Sequence, residues 1–193
     1  PLKMQTVERE FLTQDELKRL EEKQIGISRL EQVRDIFLFC CLTGLAYVDV
    51  ASLSMENIVE GKRGRQWLRK ARNKTNNMCN IPLLRPALRI LEKYAEYRTA
   101  TGRLLPVPSN QKMNAYLKEL ATLCGVTKNL TTHCARHTFA TTVTLANGAS
   151  LENVSKMLGH SSVRMTQHYA KILNSSIERD MDKIESELIG EDE

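Results

Sequence analysis

The 193-residue sequence has little that would cross-link a fold covalently or through a metal. Its five cysteines, Cys40, Cys41, Cys79, Cys124 and Cys134, are odd in number, and none is paired as CxxC. Neither a disulfide framework nor a thiolate zinc site is indicated, so all five are expected to pack as small apolar side chains. No stretch approaches the roughly 18 consecutive apolar residues of a membrane span. The opening PLKMQTVERE lacks the charged and apolar regions of a signal peptide. The default expectation is a cytoplasmic protein with no membrane partner. There is no internal repeat and no low-complexity segment.

What the chain does have is enough apolar residue, 41%, to bury one core, which predicts a single domain over residues 1–173. Residues 174–193 read as a separate acidic helix or tail. Its 20 residues, NSSIERDMDKIESELIGEDE, hold eight acidic and two basic side chains, a net of −6. With an overall formal charge of +5, the remaining residues carry +11. Seven Lys or Arg and no acid fall in GKRGRQWLRKARNK, residues 61–74. That density fits a polyanionic partner, or else a solvated face.

Periodicity and punctuation predict a mainly α fold with a small three-stranded antiparallel sheet. FLTQDELKRLEE opens a helix with Thr13 and Glu16 as a capping box. RLEQVRDIFLFCCLTG is a more buried helix stopped by Gly44. YVDVASL reads as a short helix. ENIVE, QWLRKA and MCNIPL follow as strands, with Pro82 at the sheet's end. Further helices are expected in LRPALRILEKYAEYR, SNQKMNAYLKELATLCG, THCARHTFATTVTLANG, SLENVSKMLGH and SVRMTQHYAKIL. Ser109 and Ser150 serve as caps, and Gly125 and Gly148 as stops.

Chemistry-bearing residues concentrate in the last third. His133 and Arg136, three apart in THCARHTFA, share a helix face near that helix's unpaired N–H groups, a plausible oxyanion site. His160 follows Arg136 by 24 residues, and Tyr169 follows His160 by nine.

This order, HxxR, then LGHSS, then Tyr and Ala, resembles the tyrosine recombinases, the phage-integrase family. TGLAYVDVASL is similar to that family's TGLR box, with Asp49 three positions beyond the arginine slot. NKTNNMCNIPL resembles the hairpin that bears the catalytic lysine, here Lys74, and FLTQDELKRL resembles the first helix of the catalytic domain. The resemblance covers nearly the whole chain and implies the catalytic domain of a longer integrase, its N-terminal DNA-clamping domain absent. It implies cleavage and rejoining of double-stranded DNA through a 3′-phosphotyrosyl link on Tyr169, leaving a 5′-hydroxyl, with no metal, cofactor, ATP or small-molecule substrate. Arg136 would donate a guanidinium fork to the phosphate, His160 a hydrogen bond, and Lys74 a proton to the leaving 5′-oxygen; His133 would accept the phenolic proton. Lys62, Arg63, Arg65, Arg69 and Lys70 would contact DNA. The resemblance further implies a bacterial protein, nucleoid-associated when DNA-bound, that forms a tetramer on DNA. In that tetramer an apolar stripe of Ile177, Met181, Ile184 and Leu188 docks on a neighbour.

One position departs from the pattern. Ala46 stands where the first catalytic arginine belongs, as in the conjugative-transposon integrases that GLAYVDV most resembles. Losing one well-placed donor typically costs about 3 to 4 kcal/mol in the transition state. Either the chain is a recombinase-derived DNA-binding regulator, or another guanidinium fills the gap. Arg72 is the candidate: if QWLRKARNK runs on as a strand, Lys70, Arg72 and Lys74 share one face and Arg69 takes the other. A zinc hydrolase built on His133 and His137 lacks an intervening glutamate and a third ligand. A type IB topoisomerase would share the chemistry, but the short chain and LGHSS favour an integrase. His137 reads as packing or as a support behind the reacting residues, and His168 as lying on a different face from Tyr169.

Overall fold

The computed structural model describes residues 10–170 together with 181, 182, 184–186 and 188. The expected segments before residue 10, and most of the acidic tail including Ile177, lie outside the described residues. Met181, Ile184 and Leu188 are helical and exposed.

Helix α1 (Gln14–Glu22) begins as its sequence dictates. The Thr13 hydroxyl accepts from the Glu16 N–H at 3.2 Å while the Glu16 carboxylate accepts from the Thr13 N–H at 2.8 Å. Lys128 ties this cap to the body through a 2.7 Å bond to Glu16. Helix α2 (Ser28–Thr43) is apolar on all sides over its second half, because neighbours cover it all round there: Ile36, Phe37, Leu38, Phe39, Cys40 and Cys41 are all buried, whereas Ser28 and Arg29 in its first turn are exposed. It ends at Gly44, whose φ of +70° lets its N–H reach the Cys40 carbonyl at 2.8 Å. A Cβ there would meet Phe139 Cδ1 at 2.6 Å.

Helix α3 (Tyr47–Ala51) leads into the sheet of β1 (Ile58–Glu60), β2 (Gln66–Ala71) and β3 (Met78–Pro82), ordered β1-β2-β3 and antiparallel throughout. Leu68, opposite Ile58 and Ile81, faces the core. Pro82 closes edge strand β3, where its missing N–H leaves no ladder bond unmade.

Two expected helices are broken. LRPALRILEKYAEYR forms α4 (Arg85–Lys93) and α5 (Ala95–Thr101), parted at Tyr94. The cause is tertiary: Lys93 Nζ and Tyr94 Oη both donate to the buried Asp35 Oδ2, at 2.6 and 2.9 Å. Burial first, and Asp35 next, raise the Tyr94 phenol's pKa. After α6 (Asn110–Leu123), THCARHTFATTVTLANG forms α7 (Thr132–Thr138), a π-helical segment over Phe139–Thr144 and a 3₁₀ turn at Leu145–Asn147. Threonine hydroxyls take helix carbonyls here, Thr141 on His137 at 2.6 Å and Thr144 on Phe139 at 2.7 Å. The Thr142 hydroxyl donates to Leu12 O. Helices α8 (Leu151–Met157) and α9 (Arg164–Ala170) pack together, and α8 also lies on β3.

All five cysteines are buried free thiols, as composition predicted. Burial pushes the Cys40 thiol up to about 12 and raises that of Cys79 despite two nearby arginines. None of the described helices is long and apolar enough to cross a membrane.

Candidate active site

Arg136 on α7 joins three motifs far apart in the chain. Its guanidinium donates from Nη1 to the Gly44 carbonyl and from Nη2 to the Leu158 carbonyl, both at 2.7 Å. Nη2 also lies 3.2 Å from His160 Nε2. A guanidinium can only donate, so Nε2 accepts and Nδ1–H donates to Thr166 Oγ1 at 2.7 Å. Thr166, on the helix that bears Tyr169, therefore orients the His160 ring; no sequence signal marked it. Arg136 is 6% exposed, and burial together with the charge of Arg72 lowers its pKa to about 10.

Arg72 reaches the same place from the β2–β3 turn. Strand β2 ends at Ala71 and Lys74 sits in the turn, exposed, so the expected shared strand face of Lys70, Arg72 and Lys74 does not extend to Lys74. The two-residue period stops where the backbone curls, with Asn76 N–H bonded back to Arg72 O at 2.8 Å and Asn76 at φ +56°. Arg72 nevertheless continues the inward side marked by Leu68: its side chain is 13% exposed, and its Nε is 3.9 Å from Asp49 Oδ2. That Nε is buried without a hydrogen-bond partner among the described residues. Asp49 begins from the helix that Ala46 caps, and its other oxygen accepts from the Asn73 N–H at 2.9 Å. On the far side, Asn77 Nδ2 donates to the Gly159 carbonyl at 3.1 Å. A Cβ on Gly159 would stand 2.8 Å from Cys79 Sγ and 3.1 Å from Arg72 Cδ, so the LGHSS box needs glycine for the turn to seat against it.

Tyr169 is 2% exposed. Its hydroxyl meets His137 Nδ1 at 2.7 Å. His133, the expected acceptor, is exposed, with its ring stacked on that of His137 at 6.4 Å between centroids. Thr131 caps α7 and takes the Cys134 N–H at 3.1 Å, so that group is already satisfied. His168 does not point away from Tyr169; the two ring centroids are 3.8 Å apart. His137 was legible as a histidine beside Arg136, but nothing in the spacing foretold its partner on α9. Among the described residues no group of three His, Cys, Asp or Glu side chains is set to hold a metal.

The basic run of residues 61–74 is divided by geometry. Lys62, Arg63 and Arg65 lie at the β1–β2 connection, and Arg72 and Lys74 at the opposite end of β2. Six residues of strand separate them by roughly 20 Å. Lys62, Arg63, Arg65 and Arg69 are exposed and Lys70 half-buried; none is ion-paired among the described residues.

A helical domain with a small three-stranded sheet and this convergence of boxes has the fold of tyrosine recombinase catalytic domains. It superposes on the crystal structure of XerH site-specific recombinase bound to palindromic difH substrate in a post-cleavage complex, with a TM-score of 0.70, at 16% identity and covering 92% of this chain and 54% of that one. By sequence, the chain matches the phage integrase family over residues 10–175 and belongs to it. It is 30% identical over 183 residues to tyrosine recombinase XerA of Pyrococcus furiosus, covering 87% of this chain and 60% of the relative. To tyrosine recombinase XerD of Staphylococcus saprophyticus subsp. saprophyticus it is 42% identical over 71 residues, 37% of this chain and 24% of that protein. The chain thus spans less than two thirds of the length of these relatives.

Proposed function

We propose that this chain is the catalytic part of a site-specific DNA recombinase that cuts and rejoins double-stranded DNA through Tyr169. The phenolic oxygen attacks the scissile phosphorus, the bond to O5′ breaks, and the strand is held as a 3′-phosphotyrosyl ester. The departing 5′-oxygen takes a proton from Lys74 on the exposed turn. Attack by another 5′-hydroxyl reverses the step, so the energy of the ester is conserved and no ATP is needed. Arg136 receives the phosphate, and His160 joins it once its Nε2 is protonated and exchanges Arg136 for a phosphate oxygen, with His133 at the exposed edge of the same helix face.

The observation that carries this reading is the pair of buried guanidiniums. Arg136 is anchored by two carbonyls, and Arg72 lies beside it with a buried Nε that no described residue satisfies. A buried unsatisfied donor is costly, and a phosphate oxygen is the acceptor this site's charge favours. Arg72 thereby stands in for the arginine missing at Ala46. A DNA-binding regulator could use such guanidiniums on phosphates, but it would not need Tyr169 kept together with Lys74, His133, Arg136 and His160.

Self-association on DNA belongs to the same reading. Met181, Ile184 and Leu188 are exposed at helical spacing, an apolar stripe suited to a neighbouring copy in a tetramer. Lys62, Arg63, Arg65, Arg69 and Lys70 supply sequence-independent attraction to the duplex.

The test is incubation of the chain with a pool of nicked duplexes randomised around the nick, followed by denaturing electrophoresis. Covalent adducts that vanish in Tyr169→Phe are expected; adducts formed equally well by that variant would remove the proposal.

A further inference from the structure

His137 on α7 hydrogen-bonds the phenolic oxygen of Tyr169, a contact that packing alone does not require. Its Nδ1 lies 2.7 Å from Tyr169 Oη, a normal length for a proton shared between a phenol and an imidazole. The ring is fixed from several sides. One turn earlier His133 stacks on it at 6.4 Å, and the Tyr169 ring lies 5.5 Å away at 49°. The backbone carbonyl of His137 is held by the Thr141 hydroxyl where α7 passes into the π-helical segment.

The charged and titratable groups around it are Arg136 and His133 on its own helix, Tyr169 and His168 on α9, His160 beside Arg136, and Arg72 reaching in with Asp49 facing it and Cys79 on β3 near by. Two guanidiniums faced by the single carboxylate of Asp49 leave the site positive; Arg136 is held at about 10 first by burial and then by the charge of Arg72. Such a field favours a phenolate at Tyr169 and opposes a standing cation beside it. A neutral imidazole, carrying its hydrogen on Nε2 and accepting at Nδ1, is the fitting partner.

We infer that His137 is the general base of strand cleavage, taking the phenolic proton on Nδ1 as Tyr169 Oη bonds to phosphorus and the bond to O5′ breaks. This rests on the recombinase reading above. The balance is closed by two separate proton sites: the phenol's proton goes to His137, and the leaving oxygen's comes from Lys74. On religation His137 returns its proton to the tyrosine.

The experiment measures the rate of adduct formation on the nicked-duplex pool for the unmodified chain, His137→Ala and His137→Asn. Asparagine places an amide oxygen near the Nδ1 position, so it can hold the phenol but cannot take its proton. Both variants are expected to lose about 10²-fold or more in rate, the usual range for a general base. Their rates should climb roughly tenfold per pH unit between about pH 7 and 9, as the phenolate forms without assistance. Added imidazole should restore part of the alanine variant's rate. A 5′-bridging sulfur leaving group, which needs no proton, should rescue Lys74→Ala and leave both His137 variants slow. A wild-type rate or pH profile in His137→Asn overturns the inference. Absence of adducts from the unmodified chain, or their persistence in Tyr169→Phe, would instead strike the recombinase reading, so the two failures are distinct.

Discussion

The two ends of strand β2 carry the same residue type in opposite circumstances. At one end Arg63 and Arg65 are exposed, with no ion-pair partner among the described residues. At the other, Arg72 is 13% exposed and anchored against Asp49 beside Arg136. An exposed guanidinium acts through a field that salt screens; a buried one acts through position, in surroundings where its donors are worth far more. The lesson is that a basic run in sequence can serve two functions, sorted by which residues the strand turns inward.

The largest expected effect falls on Tyr169. Tyr169→Phe is expected to abolish the covalent adduct while leaving duplex affinity, measured by filter binding, close to that of the parent. Next in size, Arg72→Ala should slow adduct formation by about 10² to 10³, the loss typical of one transition-state donor. Adding Ala46→Arg to that variant should recover activity, because the new guanidinium would issue from the start of the helix to which Asp49 ties Arg72. No recovery would separate the two positions. For stability, Gly44→Ala should cost about 2 to 4 kcal/mol in urea unfolding, since it imposes a strained φ and an overlap with Phe139. Asp49→Asn keeps shape but removes the charge facing Arg72, and a drop in cleavage rate on the order of tenfold is expected, together with a loss of stability in urea unfolding because Arg72 is left buried without its counter-charge. Smallest in chemistry is the triple change of Lys62, Arg63 and Arg65 to Ala. It should flatten the salt dependence of duplex binding by roughly three counterions and leave the rate at saturating DNA unaltered.

Much of this was legible because motif spacing survives without tertiary knowledge. The capping box at Thr13, the Gly44 stop and the three strands followed from local rules that the surroundings reinforced. The order of His133, Arg136, His160 and Tyr169 marked side chains that the fold gathers around α7 and α9. What escaped depended on distant partners. Tyr94 parts two helices because Asp35, 59 residues earlier, holds its hydroxyl. The turn at Lys74 curls before the strand period can reach it, yet Arg72 keeps its inward side because Leu68 does. His137 looked like packing because its partner lies 32 residues away on another helix. The π-helical segment is written in threonines, whose hydroxyls compete for carbonyls in ways that propensity does not count.

The anchoring of Arg136 has a thermodynamic consequence. A free arginine side chain carries about 2 kcal/mol of rotamer entropy, which a phosphate would have to quench on arrival. Here Gly44 and Leu158 have already fixed the plane of the fork, so that entropy is lost once, during folding, and binding of a phosphate need not repeat the loss.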